Sequence, residues 1–230
     1  GPSQYGKIEY LEMLKKIKVE VPSLKHIILM DENDQEKPGT LSYHKLLFQF
    51  RKYDPETLEK FKPDPDEPCL FGPTAGTTGI PKLVPRTHNS FLCTSYFGST
   101  CFDKSARDVS MIVTPLSHSF ALHQFSGLFI TGGKLVLGSS TKMDDILSLI
   151  QKEKVNRCYL VPTLLVDMLR EPELDKYDLS SLIEMISGGA KTPVELLREI
   201  KRRLNVYVIN GFGMTEGARL SARGYWDEEE

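Results

Sequence analysis

Two glycine-rich stretches carry the residue types that phosphate chemistry needs. In "FGPTAGTTGIPK", residues 72–79 hold three glycines and three threonines, and Pro81 and Lys82 follow. Glycine clears backbone space, threonine offers hydroxyl donors and lysine brings a positive charge. A phosphate chain needs all three, although a ligand-free surface turn uses the same glycines and threonines. The second stretch, "INGFGMTEG" at residues 209–217, supplies Phe212, Thr215 and Glu216. An aromatic ring stacks on a purine, a threonine donates to a phosphate and a glutamate binds magnesium. Glu216 alone reads equally well as a solvated surface charge; two such stretches in one chain favour the ligand.

A Walker P-loop fails on chemistry. Its lysine is followed by serine or threonine for magnesium and opens a helix, whereas Leu83 follows Lys82 and "KLVPR" alternates like a strand. The first stretch is therefore expected to be a phosphate-type loop between two strands.

The elements that must position these loops come from the apolar rhythm. Ile8, Leu11, Leu14 and Ile17 recur at helical spacing, "KHIILM" (residues 25–30) reads as a buried strand, and Ser42 is placed to cap a helix carrying Leu46, Leu47 and Phe50. Residues 1–53 are thus read as an αβα segment. Residues 54–68, rich in proline and acidic residues, are read as an exposed connector without regular structure. From residue 69 to 230 short apolar runs alternate with helical patterns. Strands are expected at 69–71, 111–113, 134–137, 157–161, 183–186 and 206–209, with helices at 90–97, 120–129, 143–152, 162–170 and 193–204. This alternation predicts an α/β fold: a mainly parallel sheet with helices on both faces. Ligands of such sheets sit beyond the carboxyl ends of the strands, and both glycine-rich stretches are expected there.

Composition narrows the partners. The 230 residues carry a formal net charge of −2, from 29 basic and 31 acidic side chains, which gives no electrostatic case for nucleic acid or a membrane surface. No apolar run approaches the ~20 residues of a membrane span. Four scattered cysteines, without a C-x-x-C pair, read as reduced thiols of a cytoplasmic protein.

Four motifs in order, "TAGTTGIPK" (74–82), "PLSHSF" (115–120), "SGGA" (187–190) and "GFGMTE" (211–216), resemble the adenylate-forming enzymes, the superfamily of acyl-CoA synthetases, aryl-acid adenylating enzymes and luciferases. "PKLVPRTHNSF" and "FGMTEG" look most like the 2,3-dihydroxybenzoate–AMP ligase branch. The resemblance implies ATP-dependent joining of a small carboxylic acid to AMP, with release of pyrophosphate. Transfer to coenzyme A or to the phosphopantetheine of an acyl or aryl carrier protein would follow. It implies that Thr74, Thr77, Thr78 and Lys82, with Gly76 and Gly79, hold the β- and γ-phosphates. Phe212 would lie against adenine, flanked by Gly211 and Gly213; Thr215 would touch the α-phosphate and Glu216 bind Mg²⁺. Gly188, Gly189 and Ala190 would line the adenine and acyl pocket, and His118 would stand near the substrate carboxylate. Lys82, Thr215 and His118 are the expected catalytic residues; His26, His44, His88 and His123 are assigned to structure.

Three departures qualify the resemblance. Ala75 stands where the family usually has serine. Ser119 and Phe120 replace the asparagine and tyrosine of the dihydroxybenzoate branch, leaving less hydrogen-bonding capacity for a ring hydroxyl. The family also has a further N-terminal subdomain, a ribose-binding aspartate and a C-terminal domain with a catalytic lysine. The chain is accordingly read as an internal piece of the large domain, expected to be inactive without the other domains of its parent. A nucleotide-binding module without catalysis, and a peptide-binding α/β domain whose glycine stretches are turns, remain alternatives at this point.

Overall fold

The computed structural model describes residues 2–4, 7–31, 37–49, 55–74, 79–101, 104–217 and 219–223. They fall into two compact units, Gly1–Pro63 and Asp64–Glu230. In the first, helix α1 (Tyr10–Glu20) buries Leu11 against Ile27 and Leu29. Strand β1 (Ile28–Leu29) pairs in parallel with β2 (Leu41–Ser42). The run expected as a buried strand is thus two residues long and half-buried: Leu29 is buried in the core and Ile28, on the alternate face, is exposed. Helix α2 (Tyr43–Gln49) is capped as expected, with Ser42 Oγ accepting the Lys45 N–H at 3.1 Å. The connector departs from its irregular reading through the short helix α3 (Pro55–Glu59). Proline at the first helical position sacrifices no hydrogen bond, and Glu56 complements the positive end of the dipole.

The second unit opens with β3 (Pro68–Pro73) and β4 (Leu83–Thr87), an antiparallel ribbon. Helix α4 (His88–Thr100) follows directly, its first turn capped by Thr87 Oγ1, which accepts the Ser90 N–H. Then come β5 (Val109–Ile112), α5 (Ser119–Thr131), β6 (Lys134–Leu137), α6 (Met143–Glu153), β7 (Arg157–Leu160), α7 (Pro162–Arg170), β8 (Glu184–Ser187), α8 (Val194–Leu204), β9 (Tyr207–Gly213) and β10 (Arg219–Arg223). Their strands form one six-stranded sheet in the order β10-β9-β8-β7-β5-β6, parallel except for β10. Side chains alternate across it. Met111, Cys158, Leu160, Met185 and Val208 pack into the core that includes residues of α6, α7 and α8. Ile112, Tyr159, Ile186 and Ile209 face Ala121 and Phe120 of α5 on the other side. None of the described helices is long and apolar enough to cross a membrane.

Two placements correct the sequence reading. The first glycine-rich stretch does not leave a strand of the parallel sheet: among the described residues β3 and β4 ladder with each other. Pro68, Pro73 and Pro85 lack the N–H groups a second ladder would require. The second stretch is not a loop throughout. Strand β9 continues through Gly211, Phe212 and Gly213, four residues past the expected end, because β10 pairs with it from Arg219↔Gly213 to Arg223↔Ile209. Strand β10, "RLSAR", carries too little apolar pattern to be found from sequence.

Cys158 is fully buried, and burial pushes its thiol well above the usual range. Cys69, Cys93 and Cys101 are exposed. Alkylation of the folded chain is expected to label these three within minutes and Cys158 only after denaturant; rapid native labelling of Cys158 would contradict the packed core.

Candidate functional site

The base of the ribbon loop is closed by both ends of its motif. The Thr74 N–H donates to the Lys82 carbonyl at 2.9 Å, and Thr74 Oγ1 accepts the Lys82 N–H at 3.1 Å. The Lys82 side chain stands exposed beside this closure. Gly76, Thr77 and Thr78, predicted phosphate ligands, lie outside the described residues, as does Ala75; Gly79 is exposed at the loop's far end.

The turn after β9 meets this ribbon. A Cβ built on Gly72 of β3 would lie 2.7 Å from Thr215 Cγ2, so the ribbon passes against the turn only because residue 72 is glycine. Arg86 of β4 ties the two covalently distant segments together, its Nη1 donating to the Thr215 carbonyl at 3.2 Å. Glu216 is exposed on the same turn. A single exposed carboxylate has the chemistry to hold Mg²⁺, which keeps several waters and takes one or two protein carboxylates together with substrate phosphates.

Between this turn and the start of α5 opens a small cleft, partly open to solvent. His118, Gly189, Gly211, Phe212 and Gly213 line it, joined by Ser119, Phe120, His123, Gln124, Thr94 and Met214. His118 is the N-cap of α5, and its Nδ1 accepts the Phe120 N–H at 3.2 Å. An Nδ1 that accepts leaves the ring proton on Nε2, where it is available as a donor. Gly188 lies buried behind the Phe120 ring, while Ala190 is exposed and does not line the cleft. Thr74, Lys82, Thr215 and Glu216 belong to the adjoining ribbon and turn rather than to the cleft lining.

Sequence reading passed over three contributors. His123 was assigned to structure. It is satisfied, stacked on Phe91 at 4.8 Å between ring centroids with Nδ1 3.2 Å from Ser95 Oγ, yet it also lines the cleft. Gln124 is 1% exposed; Lys104 Nζ donates to its Oε1 at 2.7 Å, while its Nε2 has no hydrogen-bond partner among the described residues. Since lysine can only donate, this contact identifies the oxygen of the amide and leaves the NH₂ as the unsatisfied end. The available signal was a polar "HQ" pair inside an otherwise apolar helix. Arg86 is the third, and nothing in its local sequence marks it, because its partner Thr215 lies 129 residues away.

The sequence pattern of residues 4–230 matches the family model described as "AMP-binding enzyme". The chain belongs to the AMP-binding enzyme family. It is 28% identical over 218 residues to the 2,3-dihydroxybenzoate-AMP ligase of Bacillus subtilis, covering 94% of this chain and 38% of that protein. It is 35% identical over 158 residues to the vibriobactin-specific 2,3-dihydroxybenzoate-AMP ligase of Vibrio cholerae, covering 67% of this chain and 29% of that one. The chain therefore spans well under half the length of these relatives. An anthranilate CoA ligase solved in complex with anthranoyl-AMP superposes with a TM-score of 0.78 at 25% identity, over 90% of this chain and 40% of that one. The luciferase-like enzyme of the mealworm Zophobas morio shares the fold, with a TM-score of 0.76 at 20% identity, over 96% of this chain and 50% of the other.

Proposed function

We propose that this chain is the nucleotide- and acyl-binding part of a carboxylate–AMP ligase, with an aryl acid as its leading substrate class. The observation that carries the reading is the meeting of the phosphate-type ribbon and the "GMTEG" turn, Gly72 against Thr215, at the mouth of a cleft lined by His118. On this reading residues 69–230 form the binding unit, 1–53 an accessory αβα segment and 54–68 the connector, in a cytoplasmic protein.

In the proposed reaction a carboxylate oxygen attacks the α-phosphorus of ATP. The new O–P bond forms as the bond to the bridging oxygen breaks, and pyrophosphate leaves. Catalysis of such a substitution is positioning and charge neutralisation. Lys82, with the threonines of its loop, holds the β- and γ-phosphates, and Thr215 donates its hydroxyl to the α-phosphate. Phe212 lies against the adenine. The Nε2–H of His118 orients the incoming carboxylate, the hydrogen bond from the Phe120 N–H fixing its tautomer. Bound through Glu216, Mg²⁺ would neutralise phosphate charge. In the longer protein a thiol, from coenzyme A or a carrier-protein phosphopantetheine, would attack the acyl carbon and release AMP.

The aryl preference is supported by the aryl acids that name these relatives and by the Phe120 and Phe212 rings in the cleft. The unsatisfied Gln124 Nε2 favours acids with an acceptor substituent, offsetting part of the capacity missing at Ser119 and Phe120. A noncatalytic nucleotide-binding module is the less supported reading, because the relatives are ligases.

Carboxylate-dependent ATP–pyrophosphate exchange tests the proposal, run on this chain and on its longer parent with aryl and aliphatic acids. The parent is expected to exchange fastest with a substituted aryl acid. Lys82→Ala should slow it by about 10²–10³-fold, the range for loss of one preorganised donor. Absence of exchange in both proteins with every acid would sink the assignment.

A further inference from the structure

Arg86 and Arg157 are both 5% exposed, but their surroundings differ. Arg157 faces two carboxylates, Asp108 and Glu184. Every acceptor around Arg86 is neutral. Its Nε donates to Ser90 Oγ at 3.2 Å, its Nη2 to the Ser90 carbonyl at 2.8 Å and to Thr94 Oγ1 at 3.0 Å, and its Nη1 to the Thr215 carbonyl at 3.2 Å. No carboxylate among the described residues pairs with it. A buried charge without a counter-charge is costly, so its position calls for an anion that arrives from outside.

The place of this charge indicates which anion. Gly217 has φ +108°, and a Cβ built there would lie 2.6–2.7 Å from Arg86 Nη1, Cζ and Nη2. The guanidinium thus fills the space beneath the turn that a side chain at 217 would take. Thr94, which it bonds, and Gly217, which it underlies, both line the cleft. The turn bearing Thr215 and Glu216 is thus in close contact with both Gly72 and the guanidinium.

We propose that Arg86 is a positioning residue for nucleotide phosphate. It clamps the Thr215 carbonyl, and so fixes where the Thr215 hydroxyl and Glu216 carboxylate stand, and its unneutralised charge draws a nucleoside polyphosphate to the cleft mouth. The inference rests on the proposed nucleotide site, and it predicts a selectivity: Arg86 matters for the phosphates of the ligand and not for its nucleoside. A residue serving only to join β4, α4 and the turn would affect both alike.

Calorimetric affinities for Mg·ATP and for adenosine, with ligand-free melting temperatures, test this on wild type, Arg86→Met, Thr215→Val and the double variant. Arg86→Met is expected to weaken Mg·ATP binding about tenfold or more while leaving adenosine affinity within twofold. Because Arg86 acts through the Thr215 turn, the double variant should bind Mg·ATP much more tightly than the product of the two single losses predicts. Equal losses for ATP and adenosine, or a strictly multiplicative double variant, would overturn the inference. Should Arg86→Met not fold, Gly217→Ala displaces the guanidinium while keeping it, and the same ATP-selective loss is expected; an unselective loss again overturns it. Failure of wild type to bind either ligand would instead remove the nucleotide site itself, separating the two claims.

Discussion

Gly188→Val is expected to lower carboxylate-dependent exchange by about 10²-fold while the chain stays folded, because it drives the Phe120 ring into the cleft. Gly188 is buried at the end of β8, and even the first carbon of a side chain would sit 2.7 Å from Phe120 Cε2 and 3.1 Å from Cδ2. No real Cβ tolerates such a contact, so the ring must move. The ring also packs edge-on against Tyr159, 6.2 Å between centroids, and Tyr159 is fully buried in the sheet. Close-packed interiors do not yield, whereas the cleft that Phe120 lines is open, so the ring is expected to retreat into it. Overpacking of this kind costs about 1–3 kcal/mol, a tolerable loss for the fold. Displacing an acid from its attack geometry by 1 Å is far more damaging to the reaction. Exchange kinetics on the longer parent, paired with thermal melting, read the two effects separately. Shrinking the ring in the same protein, Phe120→Leu, should restore part of the lost exchange. Wild-type exchange in Gly188→Val would show that the acid does not occupy the space beside Phe120.

Arg157→Met is expected to be the most destabilising single change outside the site. Arg157 lies at the start of β7, with Nε 3.2 Å from Asp108 Oδ2 and Nη1 paired to Glu184. Asp108 also accepts from Asn156 Nδ2 at 3.2 Å and from the Ser105 N–H at 2.8 Å. All three ionic groups are buried, so removing the cation leaves two carboxylates in the low-dielectric end of the sheet. Breaking one side of such a network costs about 3–5 kcal/mol. At about 2–4 °C per kcal/mol for a chain of this size, melting should fall by roughly 6–20 °C. The network need not be favourable as a whole, since apolar replacements of buried ion pairs are often neutral or better. Adding Asp108→Asn and Glu184→Leu to Arg157→Met is therefore expected to recover much of the loss. A melting point unchanged in the single variant would mean that the charges are not buried in solution.

Much of this architecture was legible because its causes are local. Helix α7 begins at Pro162 and ends at Arg170, as the proline and the apolar spacing predicted. Strand β6 occupies the four residues of its apolar run, and Thr87 and Ser42 cap the helices they precede. Where local pattern and outcome parted, the cause was a partner remote in sequence. Strand β9 ran on through Gly213 because β10 pairs with it, and β1 is limited to the two residues that pair with β2.

By itself, then, the sequence determined the α/β class, the family and the positions of the two glycine-rich motifs, since each is written within a few residues by glycine clearance, apolar period or capping chemistry. Only the tertiary structure decided the strand order, the separation of the β3–β4 ribbon from the parallel sheet, and the polar lining of the cleft by His123 and Gln124. It also placed Arg86 beneath the Thr215 turn, 129 residues away in sequence. Such contacts depend on which surfaces are brought together when the helices bury their apolar faces, and no local window of residues carries that information.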